Sequence, residues 1–104
     1  MLFRSADNTG VRIALYALID QLASAPPQAL IDGFTPEQRF FLSWAQTWCE
    51  QASDASIRRR AQEDVHAPNR WRTNGVLQNL DEFRKAFGCA TGTPMAPARV
   101  CRVW

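Results

Sequence analysis

The densest group of side chains able to do chemistry lies in the segment 64–72, which reads Asp-Val-His-Ala-Pro-Asn-Arg-Trp-Arg. Asp64 precedes His66, the one histidine of the chain, by two residues, and a carboxylate at that spacing can orient an imidazole or favour its charged form. Together with Arg72, a charged His66 offers donors that could stabilise an oxyanion. A structural turn, in which Asp64 caps the segment and His66 fills a polar niche, explains the same residues, because a lone histidine is more often structural.

The sequence contains no self-sufficient catalytic centre of a familiar kind. A catalytic zinc site needs three protein ligands, and the chain has one histidine and no His-Glu-x-x-His pair. It also has no Gly-x-Ser-x-Gly nucleophile motif and no glycine-rich phosphate loop. We therefore predict no metal ligands within this chain.

The three cysteines, Cys49, Cys89 and Cys101, cannot all pair with one another because their number is odd. Their spacing matches neither a zinc ribbon nor a zinc finger. Two interpretations stay open at this point. The thiols are either buried and reduced, since free cysteine packs as a small apolar residue, or their partners lie outside this chain.

The composition is that of one small globular domain. The chain has 104 residues, of which 46% are hydrophobic and 21% are charged. The net charge of +2 is too balanced to indicate a nucleic-acid partner, and Arg58–Arg60 are followed closely by Glu63 and Asp64. The arginine run is therefore interpreted as a solvated helix face. No apolar run reaches the roughly 18 residues of a membrane span, and the first 20 residues do not read as a targeting segment.

Apolar periodicity predicts the elements that must position these side chains. The predicted helices span residues 10–24, 35–49, 53–63, about 71–78, and 79–88. Thr35 is a good N-cap, Pro36 suits the first helical position, and Gln38 completes a capping box. Asn79 is the predicted cap of the last helix and Gly88 its C-terminal stop. The fold class is all-α, with four to five helices and an irregular C-terminal tail, as one domain over residues 1–104.

The helix 35–49 has an unusually wide apolar face. Phe41, Trp44 and Trp48 share one stripe and Phe40 lies beside it, which indicates burial on more than one side. If this face were exposed, it would drive dimerisation or aggregation. A small self-associating or protein-binding helical module, including a homo-oligomer, is therefore the alternative function.

Several motifs in unbroken order resemble the C-terminal end of neprilysin-type zinc metallopeptidases, the M13 family. The resemblance extends from about Ala6 to Trp104. The residues that carry it are Phe40–Cys49, Asp64–Pro68, Arg72, Gly75, Asn79, Phe83, Ala86, Phe87, Cys89, Met95 and Cys101–Trp104. The combination of Trp-Cys, Asp-x-His-x-Pro-x-x-x-Arg-x-x-Gly and a terminal Cys-x-x-Trp is highly specific.

The resemblance implies roles for individual residues in cleaving a peptide substrate. In the complete enzyme, His66 stabilises the oxyanion of the tetrahedral intermediate and Asp64 orients His66. Arg72 binds a carbonyl oxygen of the peptide substrate and helps to set its register. Arg70 does not match the motif and is interpreted as a surface residue.

The resemblance also implies that the zinc site of the complete enzyme is absent from this chain. The His-Glu-x-x-His helix would lie upstream of Met1. The third zinc ligand of the family is the glutamate of a Glu-x-x-x-Asp motif. Asp7 matches the aspartate of this motif, which lies next to the zinc ligands and does not bind the zinc itself. The glutamate position falls on Phe3, which cannot bind zinc. We expect no catalytic zinc and no peptidase activity in the isolated chain.

The cysteines fit the same resemblance. In animal members of the family, cysteines at the positions of Cys49, Cys89 and Cys101 pair with cysteines earlier in the chain. The family works mainly outside the cytoplasm, where disulfides persist. The resemblance leaves the compartment of this chain undetermined.

Overall fold

The computed structural model describes residues 5–102, and five α-helices account for their regular structure. The helices are α1 (Ser5–Ala23), α2 (Pro36–Thr47), α3 (Asp54–Glu63), α4 (Asn69–Leu77) and α5 (Asp81–Phe87). Within that range there is no strand, only two isolated bridges that close tight turns. The predicted all-α fold with an irregular tail after the last helix is thus confirmed.

The N-terminal helix begins earlier than the apolar periodicity predicts. The apolar pattern starts at Val11, but α1 already begins at Ser5. Its first turn is polar, and Asp7 is favourable there because a carboxylate complements the positive end of the helix dipole. A polar first turn carries no periodicity, which is why the sequence-based boundary of residue 10 lies too late.

The capping box of α2 is present as predicted. The Thr35 hydroxyl accepts a hydrogen bond from the Gln38 backbone N–H at 3.1 Å, and Gln38 Oε1 accepts one from the Thr35 N–H at 2.9 Å. The amide of Gln38 also donates to the Ala86 carbonyl at 2.8 Å. The start of α2 is therefore joined to the last turn of α5.

The prediction that Asn79 caps α5 is wrong. The N-cap is Leu80, which makes no side-chain cap hydrogen bond. Asn79 Nδ2 instead donates to the carbonyl of Gly75 at 2.9 Å and to Asn8 Oδ1 at 3.3 Å, and its Oδ1 accepts from the Cys101 N–H at 3.0 Å. The Asn79 side chain therefore binds partners in distant parts of the chain, although the local pattern predicts that it caps α5.

One glycine ends α5, and another lies inside α4. Gly88 has a φ of 63°, in the left-handed region, and ends α5 as predicted. Gly75 is buried inside α4, which begins at Asn69, two residues before the predicted Trp71.

The core lies where α2 packs against α1, α4 and α5. Its buried members are Val11, Leu15, Phe41, Val76, Leu77 and Leu80. Phe41 is 1% exposed and meets the ring of Phe83 edge to face, with centroids 5.3 Å apart. The wide apolar face of α2 is thus covered largely by the chain itself.

Helix α3 lies outside this core, because none of its residues is buried. Arg58 and Arg59 are exposed, and Arg60 forms an ion pair with Glu50 at 3.1 Å. Across residues 5–102, every helix is too short or too polar to traverse a lipid bilayer.

Candidate functional site

Asp64 and His66 form a hydrogen-bonded pair in the connection between α3 and α4. Asp64 Oδ1 accepts from the His66 backbone N–H at 2.8 Å and lies 2.8 Å from His66 Nδ1. The spacing of two residues lets one carboxylate oxygen reach both groups. The backbone N–H of His66 first, and its ring second, hold the pKa of Asp64 below its ordinary value.

An ionised Asp64 can only accept hydrogen bonds, so the proton between the two side chains belongs to His66 Nδ1. This leaves Nε2 as the ring nitrogen without a hydrogen bond to another residue in the described range. The His66 side chain is half exposed, so Nε2 can meet a ligand from outside the chain.

Arg72 forms a bidentate ion pair with Asp7. Arg72 Nε donates to Asp7 Oδ2 at 2.7 Å and Nη2 donates to Oδ1 at 2.8 Å. Only 19% of the Arg72 side chain and 11% of the Asp7 side chain are exposed. The hydrogen bond that Arg72 donates to Asp7 is the main cause of a raised Arg72 pKa. The pair joins the first turn of α1 to α4 and leaves Nη1 for another acceptor.

Two tryptophans of α2 and its C-cap complete the support of Arg72. The guanidinium carbon of Arg72 lies 3.8 Å from the ring centroid of Trp48, a cation–π contact. Trp44 Nε1 donates to the Arg72 carbonyl at 3.2 Å, and its ring packs against Trp48 with centroids 5.5 Å apart. Sequence reasoning assigned both tryptophans to an apolar stripe, and nothing in their local pattern pointed to Arg72.

Asp64, His66 and Arg72 open onto one cleft of about 950 Å³. Its walls come from the end of α2, one face of α3 and the start of α4. The structure therefore brings together three of the four site residues that the sequence pointed to. Asp7 does not line the cleft and reaches it only through Arg72.

The described side chains do not form a zinc site. No group of three or more His, Cys, Asp or Glu residues lies close enough to hold a metal ion within residues 5–102. Phe3, where the resemblance places the glutamate ligand, lies outside the described residues, as do the last two residues of the terminal motif.

The exposure of the three thiols contradicts one of the two interpretations of the cysteines. Cys49 and Cys101 are exposed and Cys89 is partly buried, and all three are free. None of the three is fully buried, so the interpretation as three buried thiols is wrong. They lie on loops and helix ends outside the core.

Comparisons with known proteins point to one family. A model described as peptidase family M13 matches residues 3–103. The chain is 42% identical to the human protein named membrane metallo-endopeptidase-like 1 over 101 residues, which is 95% of this chain and 13% of that protein. It is 39% identical to an endothelin-converting enzyme homolog from Locusta migratoria, again over 95% of this chain and 14% of the locust protein.

A solved structure agrees with these matches in fold as well as in sequence. The cryo-EM structure of Mycobacterium tuberculosis zinc metalloprotease ZMP1 in its open state superposes with a TM-score of 0.86 at 37% identity. The match covers 97% of this chain and 16% of the mycobacterial one. This chain thus corresponds to about one seventh of the length of such proteins, and within that span it belongs to peptidase family M13.

Proposed function

We propose that this chain is the part of an M13 zinc endopeptidase that holds the backbone of the peptide substrate. His66 donates to the oxyanion, Asp64 orients His66, and Arg72 binds a substrate carbonyl oxygen. The observation that carries this proposal is the shared cleft, onto which the Asp64–His66 pair and the Arg72 side chain held by Asp7 both open.

The geometry suits these roles for a physical reason. In its protonated form, His66 donates from both ring nitrogens, with Nδ1 held by Asp64 and Nε2 available to the substrate oxygen. Arg72 is fixed by Asp7 and Trp48, so that its remaining donors need little ordering when a carbonyl arrives. Preorganised donors of this kind are worth most in the transition state, where negative charge develops.

The proposal places the catalytic zinc and the general base outside this chain. Residues 1–104 would then form one helical unit of a larger catalytic domain, without peptidase activity when isolated. An immunoblot of source cells with an antibody against residues 84–104 measures the size of the native product. A band several times larger than 11.8 kDa supports the proposal, and a single band at 11.8 kDa contradicts it.

The role of His66 is tested in the complete peptidase with a fluorogenic peptide substrate. We expect His66→Ala to lower kcat by about 10²–10³, the usual effect of removing one oxyanion donor. Folding should be unaffected, because His66 is exposed and lies outside the core. Arg59→Ala, an exposed change outside the cleft, is the matched control. Near-normal turnover of the His66 variant would defeat the assignment.

The second candidate function is self-association of the isolated chain. The observation that favours it is not the face of α2, which is covered, but the exposed apolar side chains of Ile13, Leu30 and Ile31. Each is more than half exposed. A second copy of this chain that packed on these side chains would remove their apolar area from water, which favours association.

A further inference from the structure

Three arginines line the cleft that contains His66, and two of them are already paired. Arg60 forms an ion pair with Glu50 at 3.1 Å, and Arg72 is held by Asp7 at 2.7 Å. Arg70 forms no ion pair with any residue in the range 5–102. Arg70 is therefore the one arginine of this cleft without an ion-pair partner among the described residues.

The position of Arg70 in its helix makes that charge unusual. It lies in the first turn of α4, where the helix dipole disfavours a cation and favours an anion. The N-cap is Pro68, which makes no side-chain cap hydrogen bond, and the first turn has no acidic residue. Arg70 and the start of α4 therefore both attract negative charge from outside the chain.

Neighbouring side chains indicate what kind of molecule would bring this charge. The Arg70 guanidinium carbon lies 5.7 Å from the centroid of the Trp71 ring, which helps to hold it at the cleft. Trp71 and Ile57 both line the cleft and are about half exposed, so they offer apolar surface next to the cation. A ligand with an apolar group followed by a carboxylate matches this pairing.

We propose that Arg70 is a specificity residue that binds a carboxylate of the peptide held in this cleft. The carboxylate comes either from the C-terminus of the peptide or from an Asp or Glu side chain. The inference rests on the proposed function, since it takes the cleft to be a peptide site. An arginine suits the task because its planar fork can bind both carboxylate oxygens at once.

The test measures binding of three peptides to the ¹⁵N-labelled 104-residue chain by NMR. The peptides are N-acetyl-Phe-Ala with a free C-terminus, its C-terminal amide, and N-acetyl-Phe-Glu amide. We expect at least one carboxylate peptide to bind about 5–10-fold more tightly than the uncharged amide, as for a charge-assisted hydrogen bond at a partly exposed site. Arg70→Gln should reduce this ratio to about one, and Arg58→Gln, an exposed change off the cleft, should preserve it.

The arms of this experiment separate the sources of the carboxylate. Preference for the free C-terminus, for the glutamate, or for both supports the inference and identifies the source. Equal affinity for all three peptides, no binding of any of them, or a preference that survives Arg70→Gln overturns it. The hydrolysis assay of His66→Ala is a separate measurement, so equal affinities together with a large loss of kcat would leave the proposed function standing without a role for Arg70.

Discussion

At the scale of single residues, the ion pair between Asp7 and Arg72 joins the first helix to the fourth. The two residues lie 65 positions apart in the chain, and both side chains are mostly buried. An arginine of this kind is satisfied by its partner, but it becomes an uncompensated charge when the partner is removed. Stability therefore depends on the Asp7 carboxylate, and under the proposed function substrate binding by Arg72 would depend on it as well.

We predict that Asp7→Ala lowers the free energy of unfolding by about 1–3 kcal/mol, since it leaves the Arg72 guanidinium unpaired in a partly buried place. Urea unfolding followed by circular dichroism measures the change. Asp81→Ala is the matched control, because Asp81 pairs with Arg102 at 2.6 Å with both side chains about half exposed. The control should change stability by less than about 1 kcal/mol. Equal losses of unfolding free energy in both variants would contradict the prediction that the Asp7–Arg72 pair stabilises the fold more than an exposed ion pair does.

At the scale of elements, Gln38 links two helices with one side chain. Its Oε1 closes the capping box of α2, and its amide nitrogen binds the carbonyl of Ala86 in α5. The carbonyls in the last turn of a helix lack partners within the helix, so this hydrogen bond satisfies one of them. The relative position of α2 and α5 is thus determined partly by a residue that a sequence motif identifies only as a cap.

Gln38→Ala should destabilise the chain by about 1–2 kcal/mol, because it removes both a capping interaction and a partly buried hydrogen bond between helices. Thermal unfolding provides the measurement. Gln28→Ala removes a comparable side chain whose one hydrogen bond, to the Pro26 carbonyl, is exposed. That control is expected to stay within about 0.5 kcal/mol of the parent chain. If the two glutamine variants unfold alike, the link between α2 and α5 contributes nothing.

At the scale of the whole molecule, the chain combines a core between α1, α2, α4 and α5 with apolar side chains that stay exposed outside it. Helix α3 contributes no buried residue, while the loop after α1 exposes Leu30 and Ile31 at 61% and 55%. The fold thus combines a closed packing unit with surfaces that remain open to a further copy or to another protein body.

We expect sedimentation velocity to show that the sedimentation coefficient of the isolated chain rises with protein concentration. Ile31→Ser should weaken this association by about tenfold or more, because burying one isoleucine side chain is worth about 1.5–3 kcal/mol. Arg59→Ala, which changes an exposed residue without apolar contact area, serves as the comparison and should associate like the parent. A monomer at all concentrations would rule out the self-associating alternative.

Local patterns were sufficient to predict the helical architecture and part of the site. The capping box at Thr35, the stop at Gly88 and the Asp64–His66 pair all involve residues within a few positions of one another. Their geometry follows from one or two turns of backbone, and it does not depend on how distant elements pack. The family resemblance also follows from sequence motifs such as Asp64–Pro68, and the M13 family model matches residues 3–103.

Contacts between distant elements could not be read from spacing. Asn79 does not cap α5 as predicted, because its side chain forms hydrogen bonds with α1 and the C-terminal tail. The contacts of Arg72 with Asp7 and Trp48 likewise depend on how α1 and α2 pack against α4. The same packing forms the cleft that Arg70 and His66 share. Side-chain pairing across tens of residues is decided by helix packing. Helix packing depends on burying apolar area and pairing buried charges across the entire chain. A short stretch of sequence does not show which distant residues will meet.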